Sequence, residues 1–111
     1  MKVDVEDRSG VHVVRLTGET LGDDDSALVE TVTALLEDRG ARIVIDLSAV
    51  KFINSSGLGS LVTLTAQANQ RESQVVLAAP SAFIAGVFET TQLDRFFRVN
   101  PSVDAAIASL L

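Results

Sequence analysis

The stretch that decides the reading is Asp46-Leu47-Ser48-Ala49-Val50-Lys51-Phe52-Ile53-Asn54-Ser55-Ser56-Gly57-Leu58-Gly59-Ser60-Leu61-Val62. It closes a β-branched run, Arg42 to Leu47, of the kind that forms a central strand buried on both faces. A short apolar step (Val50, Phe52, Ile53) follows, and then a polar turn opens a helix. Two features need a reason. Glycine costs about 1 kcal/mol relative to alanine inside a helix, yet Gly57 and Gly59 fall in its first turns. Two adjacent hydroxyls, on Ser55 and Ser56, also sit where helical N–H groups lack partners. A structural reading makes Asn54 or Ser55 the N-cap and has the glycines admit close packing against strands. A functional reading adds that small residues let a partner reach a serine at the helix tip. That end of a helix favours negative charge and can donate N–H groups to a phosphate.

Working outward, Val3 and Val5 alternate with charged residues, and a turn at Asp7-Arg8-Ser9-Gly10 leads into Val11 to Thr17, which reads as a hairpin whose second strand ends at Gly18. Thr20 to Asp25 reads as an acidic loop. Leu28, Val32, Leu35 and Leu36 then form the stripe of an amphipathic helix, with Asp24 or Asp25 able to cap its start. The helix after Asn54 carries Leu58, Leu61, Val62 and Thr65 on one face. Val75 to Ala79 is another buried strand, and Pro80 to Glu89 a short helix bearing Phe83, Val87 and Phe88. Phe96 to Val99 reads as an edge strand. Asn100 reads as a cap with Pro101 at the first helical position, ahead of the stripe Val103, Ile107 and Leu110. The order ββαβαβαβα predicts an α/β domain: a mainly parallel mixed sheet, joined by right-handed crossovers, with helices packed on it.

Residues 1–111 make one domain, since folding at this size buries about 65% of the unfolded chain's surface, enough for a single core. The net charge of −6 and pI near 4.5 repel phosphate backbones, and no Lys/Arg cluster provides a local exception; Arg95 and Arg98 read as a solvated face. Nucleic acid is therefore not an expected partner. Nor is direct membrane binding, because no basic amphipathic helix, no apolar run of about 20 residues and no signal-peptide core is present. A cytoplasmic location is expected.

Catalytic chemistry finds no footing. His12 is the sole histidine, lies in a strand, and has no triad around it. Asp23-Asp24-Asp25 lacks the spacing and terminal Glu of a calcium loop, and there is no cysteine for a thiolate metal site. Gly57-Leu58-Gly59 lacks the third glycine of a dinucleotide fingerprint, since position 62 is Val. The expectation is a protein that is not an enzyme and holds neither cofactor nor metal.

With these residues in place, the chain resembles the STAS domain family, shared by anti-sigma factor antagonists and the cytoplasmic tails of sulfate transporters. The family's usual signature is an aspartate, the phosphorylated serine, a second Ser or Thr, then Gly-Leu-Gly. Ser55-Ser56-Gly57-Leu58-Gly59 is similar to it from the serine onward. The resemblance covers nearly the whole chain: Leu16-Thr17-Gly18-Glu19 resembles the family's second-strand ending, Asp46-Leu47 its third strand, and Val87 to Leu93 its third-helix ending. Three departures stand out. Asn54 replaces the aspartate before the acceptor, the loop after Glu19 is longer and has Gly22 in place of an aspartate, and Gln92 occupies a glycine position that calls for a left-handed residue or a reshaped turn.

The resemblance to the anti-sigma factor antagonists implies a partner-switching phosphoprotein in transcription regulation. The unmodified protein would bind an anti-sigma factor that is also a GHKL-type serine kinase. Phosphorylation of Ser55 would release it, and a PP2C-type phosphatase would reset it. Asn54, Ser56, Gly57, Leu58 and Gly59 would shape the contact, with Glu19, Asp23, Asp24 and Asp25 at its rim. ATP would belong to the partner. The resemblance also admits a constitutive role, as a scaffold or regulatory subunit of a membrane transporter or stress-signalling complex.

Overall fold

A computed structural model describes all of residues 1–111. The chain runs β1 (Lys2–Arg8), β2 (Val11–Leu21), α1 (Ser26–Leu35), β3 (Arg42–Ile53), α2 (Ser55–Gln70), β4 (Gln74–Ala78), α3 (Ala82–Thr90), a 3-10 turn (Leu93–Arg95), β5 (Arg98–Asn100) and α4 (Val103–Leu110). The five strands form one sheet in sequential order, β1-β2-β3-β4-β5. Only β1 and β2 are antiparallel; β2, β3, β4 and β5 run parallel. The predicted order ββαβαβαβα is therefore the observed one.

Strand alternation divides the apolar residues between the two faces of the sheet. Val14, Leu16, Ile43, Ile45, Leu47, Val75 and Leu77 build the larger core with Leu28 and Val32 of α1, Leu61 and Leu64 of α2, and Ile84 and Phe88 of α3. Val11, Val13, Val44, Val76 and Ala78 face the other way, under Ala106, Ile107 and Leu110 of α4. The stripes of α1, α2 and α4 are those the spacing predicts, with Leu64 and Ala68 added on α2 while Leu58 and Val62 are half-buried; on α3, Phe88 is buried as expected, but Ile84 takes the core position expected of Phe83, which is exposed. None of the helices is long and apolar enough to cross a membrane.

Several boundaries differ from expectation. Strand β2 does not stop at Gly18 but runs to Leu21, and β3 runs past Leu47 to Ile53. The step Val50-Phe52-Ile53 is thus strand, concealed because the register slips: Arg15 pairs with Asp46, but Thr17 pairs with Ala49. Three residues of β3 advance against two of β2, which breaks the period-2 pattern. Helix α4 is capped by Ser102, whose hydroxyl accepts from the Ala105 N–H at 3.0 Å, while Asn100 ends β5. Asp25 is the residue before α1 but makes no cap hydrogen bond. Gln92 is left-handed, φ 62°, as its position requires.

Candidate functional site

The extension of β2 and β3 builds the site. Their C-terminal ends pair side by side, Thr20 with Phe52 and Leu21 with Ile53, and the Asn54 N–H donates to the Leu21 carbonyl at 3.1 Å. The Gly22–Asp25 loop after β2 and the start of α2 after β3 therefore emerge together at the C-terminal ends of two inner parallel strands.

Asn54 caps α2. Its Oδ1 accepts from the Gly57 N–H at 3.0 Å, and its Nδ2 donates to an Asp23 carboxylate oxygen at 3.0 Å. Both bonds need this one orientation of the amide. The Leu58 N–H donates to the Asn54 carbonyl at 3.0 Å. The cap thus leaves the first two helical N–H groups, of Ser55 and Ser56, without an intrahelical acceptor. Both serines are exposed. Because Asn54 supplies the cap, the Ser55 hydroxyl is free for other chemistry at the positive end of a 16-residue helix.

The two glycines serve different ends. A Cβ on Gly57 would lie 2.2 Å from the Leu21 carbonyl oxygen, so only glycine lets α2 start this close to β2. A Cβ on Gly59 would meet nothing within 4 Å. Gly59 instead leaves a shallow exposed groove, lined by Ser56, Gly59, Ser60, Thr63 and Val29 with Leu64 at its base. Leu58, between the glycines, is half-buried and packs on the larger core.

The acidic residues divide as well. Asp23 is tied to Asn54. Asp24, exposed, accepts from the Ser26 hydroxyl at 3.0 Å. Asp25, half-buried, accepts from the Ser60 hydroxyl on α2. The loop is consequently strapped to α2 at two points, by Asp23 and Asp25. Glu19 is exposed on β2, outside this network of contacts.

Two features escaped the sequence reading. Ser60 is the second anchor of the loop, and a lone serine within a helix carries no signal for that. Phe52 and Phe83 form an exposed edge-to-face pair with ring centroids 5.1 Å apart, two residues before Asn54. Phe83 is held there because the Ser81 hydroxyl, which caps α3, also donates to the Lys51 carbonyl at 2.9 Å. The exposed position of Phe52 on β3 follows from the slipped register, which local pattern does not reveal.

The STAS domain family model matches residues 2–106 of this geometry. The chain belongs to the STAS domain family. Among relatives of this STAS domain, the anti-sigma-F factor antagonist RsfB of Mycobacterium tuberculosis is 31% identical over 108 residues, covering 97% of this chain and 88% of RsfB. The crystal structure of an anti-sigma factor antagonist from Mycobacterium paratuberculosis superposes with a TM-score of 0.82 at 30% identity, covering 98% of this chain and 92% of that one. The unphosphorylated form of the anti-sigma factor antagonist SpoIIAA shares the fold, with a TM-score of 0.71 at 23% identity over 98% of this chain and 96% of its own.

Proposed function

We propose that this STAS domain is an anti-sigma factor antagonist whose hold on its anti-sigma factor is switched by phosphorylation of Ser55. The observation that carries the reading is the division of labour at the tip of α2: Asn54 caps the helix, and Ser55 stands exposed beside it. A serine needed as the cap would lose its structural bond on modification. This one loses none.

The unmodified chain presents Ser55, Ser56 and the Gly59 groove to an anti-sigma factor that carries its own GHKL-type ATP site. The Ser55 hydroxyl oxygen attacks the γ-phosphorus of that ATP, its proton passes to a base of the kinase, and ADP leaves. The product carries about −1.5 to −2 charges at the centre of the contact. At a helix N-terminus this charge is compatible with the fold. Across the interface it costs desolvation, and each 1.4 kcal/mol or so weakens binding about tenfold. About 5.5 kcal/mol moves the complex from nearly all bound to nearly all free. A PP2C-type phosphatase hydrolyses the phosphoserine and restores the binding form.

The test immobilises wild-type protein and a Ser55→Asp variant, passes extract of the source organism over both, and identifies retained proteins by mass spectrometry. Circular dichroism first confirms that the variant folds. Wild type should retain a GHKL-type kinase that the variant loses. Retention of the same transporter or scaffold proteins by both would replace the switch with a constitutive role.

A further inference from the structure

Asn54 stands where the family signature has aspartate, so the acid beside the acceptor serine is missing from its usual place in the chain. The structure supplies one from elsewhere. The Asp23 carboxylate reaches across from the β2–α1 loop to the Asn54 amide, 3.0 Å away, while the same amide caps α2 through Gly57. Gly22 belongs to the arrangement. It has φ 116°, and a Cβ there would lie 1.8 Å from Asn54 Oδ1 and 2.6 Å from the Gly57 nitrogen. Any other residue at 22 would push Asn54 off the cap. Gly22, Asp23 and Asn54 are therefore matched to one another. An aspartate at 54 would have no N–H to offer and would set a second carboxylate against that of Asp23.

We infer that Asp23 is the acidic determinant that the partner kinase reads next to Ser55, held in place by the Asn54 amide. This rests on Ser55 being the phosphorylated residue. The pair is a displaced form of the aspartate-serine signature: one negative charge stays astride the cap, but it belongs to the loop. Asn54 can then become aspartate without loss only if residue 23 becomes an amide in the same protein. Asp23→Asn keeps an amide oxygen able to accept from Asn54 and removes only the charge. The double variant Asp23→Asn/Asn54→Asp rebuilds the bond with the charge on the other side.

Four full-length proteins decide it: wild type, Asn54→Asp, Asp23→Asn and the double exchange. Each is melted by circular dichroism, then incubated with ATP in extract of the source organism, and phosphate on Ser55 is followed by mass spectrometry. Asn54→Asp should melt several degrees lower, and the double exchange should recover wild-type melting. Asp23→Asn should melt like wild type yet take up phosphate about tenfold more slowly, a loss that a purely structural carboxylate would not produce. The double exchange should regain most of the wild-type rate. Wild-type melting of Asn54→Asp would show that the two residues are uncoupled and overturn the inference. A wild-type phosphorylation rate for Asp23→Asn would overturn Asp23 as the recognised acid while leaving the Ser55 switch intact. Absence of phosphate on Ser55 in the wild type, with a competent extract, would sink the switch and the role of the acid together.

Discussion

Gly57 and Gly59 stand two residues apart in one helix and answer to different constraints. Gly57 is set by the main-chain oxygen of Leu21, against which a methyl group has no room. Gly57→Ala should therefore destabilise the fold by about 2–3 kcal/mol, as overpacking against an unyielding backbone does. Gly59 borders open space, so Gly59→Ala should stabilise by about 0.5–1 kcal/mol through helix propensity alone. Urea denaturation of the two variants checks both signs. A stabilised Gly59→Ala that binds the anti-sigma factor more weakly would place the partner on the groove that Gly59 opens. From the sequence, close packing was a reading open to both glycines. Which of them it holds for depends on where Leu21 lies, and no local pattern contains that.

The short helices and the slipped strand carry their own consequences at the scale of elements. Helices α3 and α4 have 9 and 8 residues, lengths at which isolated helices do not persist, so caps and packing sustain them. Ser102 caps α4 through the Ala105 N–H, and Ser102→Ala should cost about 1 kcal/mol. Ser81 caps α3 through the Ile84 N–H at 3.2 Å and also donates to Lys51 of β3, so Ser81→Ala should cost roughly 2 kcal/mol. Chemical denaturation of the two variants should rank them in that order. At the slip in β3, the side chain of Asp46 is buried, with one oxygen 2.9 Å from the Ser48 N–H and the other 3.1 Å from Arg15 Nε. Burial pushes its pKa up, but the Ser48 hydrogen bonds and the Arg15 guanidinium outweigh that and hold it below the ordinary 3.8. A carboxylate with a depressed folded pKa stabilises above its unfolded value and loses that contribution as pH falls through the folded one. Asp46→Asn should thus cost about 1–3 kcal/mol at neutral pH, and the gap from wild type should close as pH is lowered from about 4. Thermal melts of both proteins across that range test the sign. The sequence shows Asp46 ending a β-branched run. It does not show the slip, because a register exists only between two strands.

At the scale of the whole molecule, the sheet separates the candidate site at the start of α2 from part of its support. Helix α4 packs on the face opposite α2, and Ile107 completes the smaller core with Val11, Val13, Val44 and Val76. Ile107→Ala should cost about 2–4 kcal/mol in urea titration, as a buried methylene deletion does. The folded fraction should still bind the anti-sigma factor with wild-type affinity, which calorimetry on the folded protein would measure; lost affinity would mean that α4 takes part in the contact. The acidic balance of the chain, −6, should also make association with a basic partner slow as salt rises. What the sequence determined by itself was the element order, the apolar faces of α1, α2 and α4, the paucity of catalytic groups and the serine at a helix start. These follow from periodicity, residue chemistry and spacing, which are local. What only the tertiary structure decided was that β2 and β3 end together, that Asn54 rather than Ser55 caps α2, that Gly57 meets Leu21, and that Asp23 returns to the cap. Apart from the cap itself, which spans three residues, those facts join residues about 30 or more positions apart, and only the folded chain brings them together.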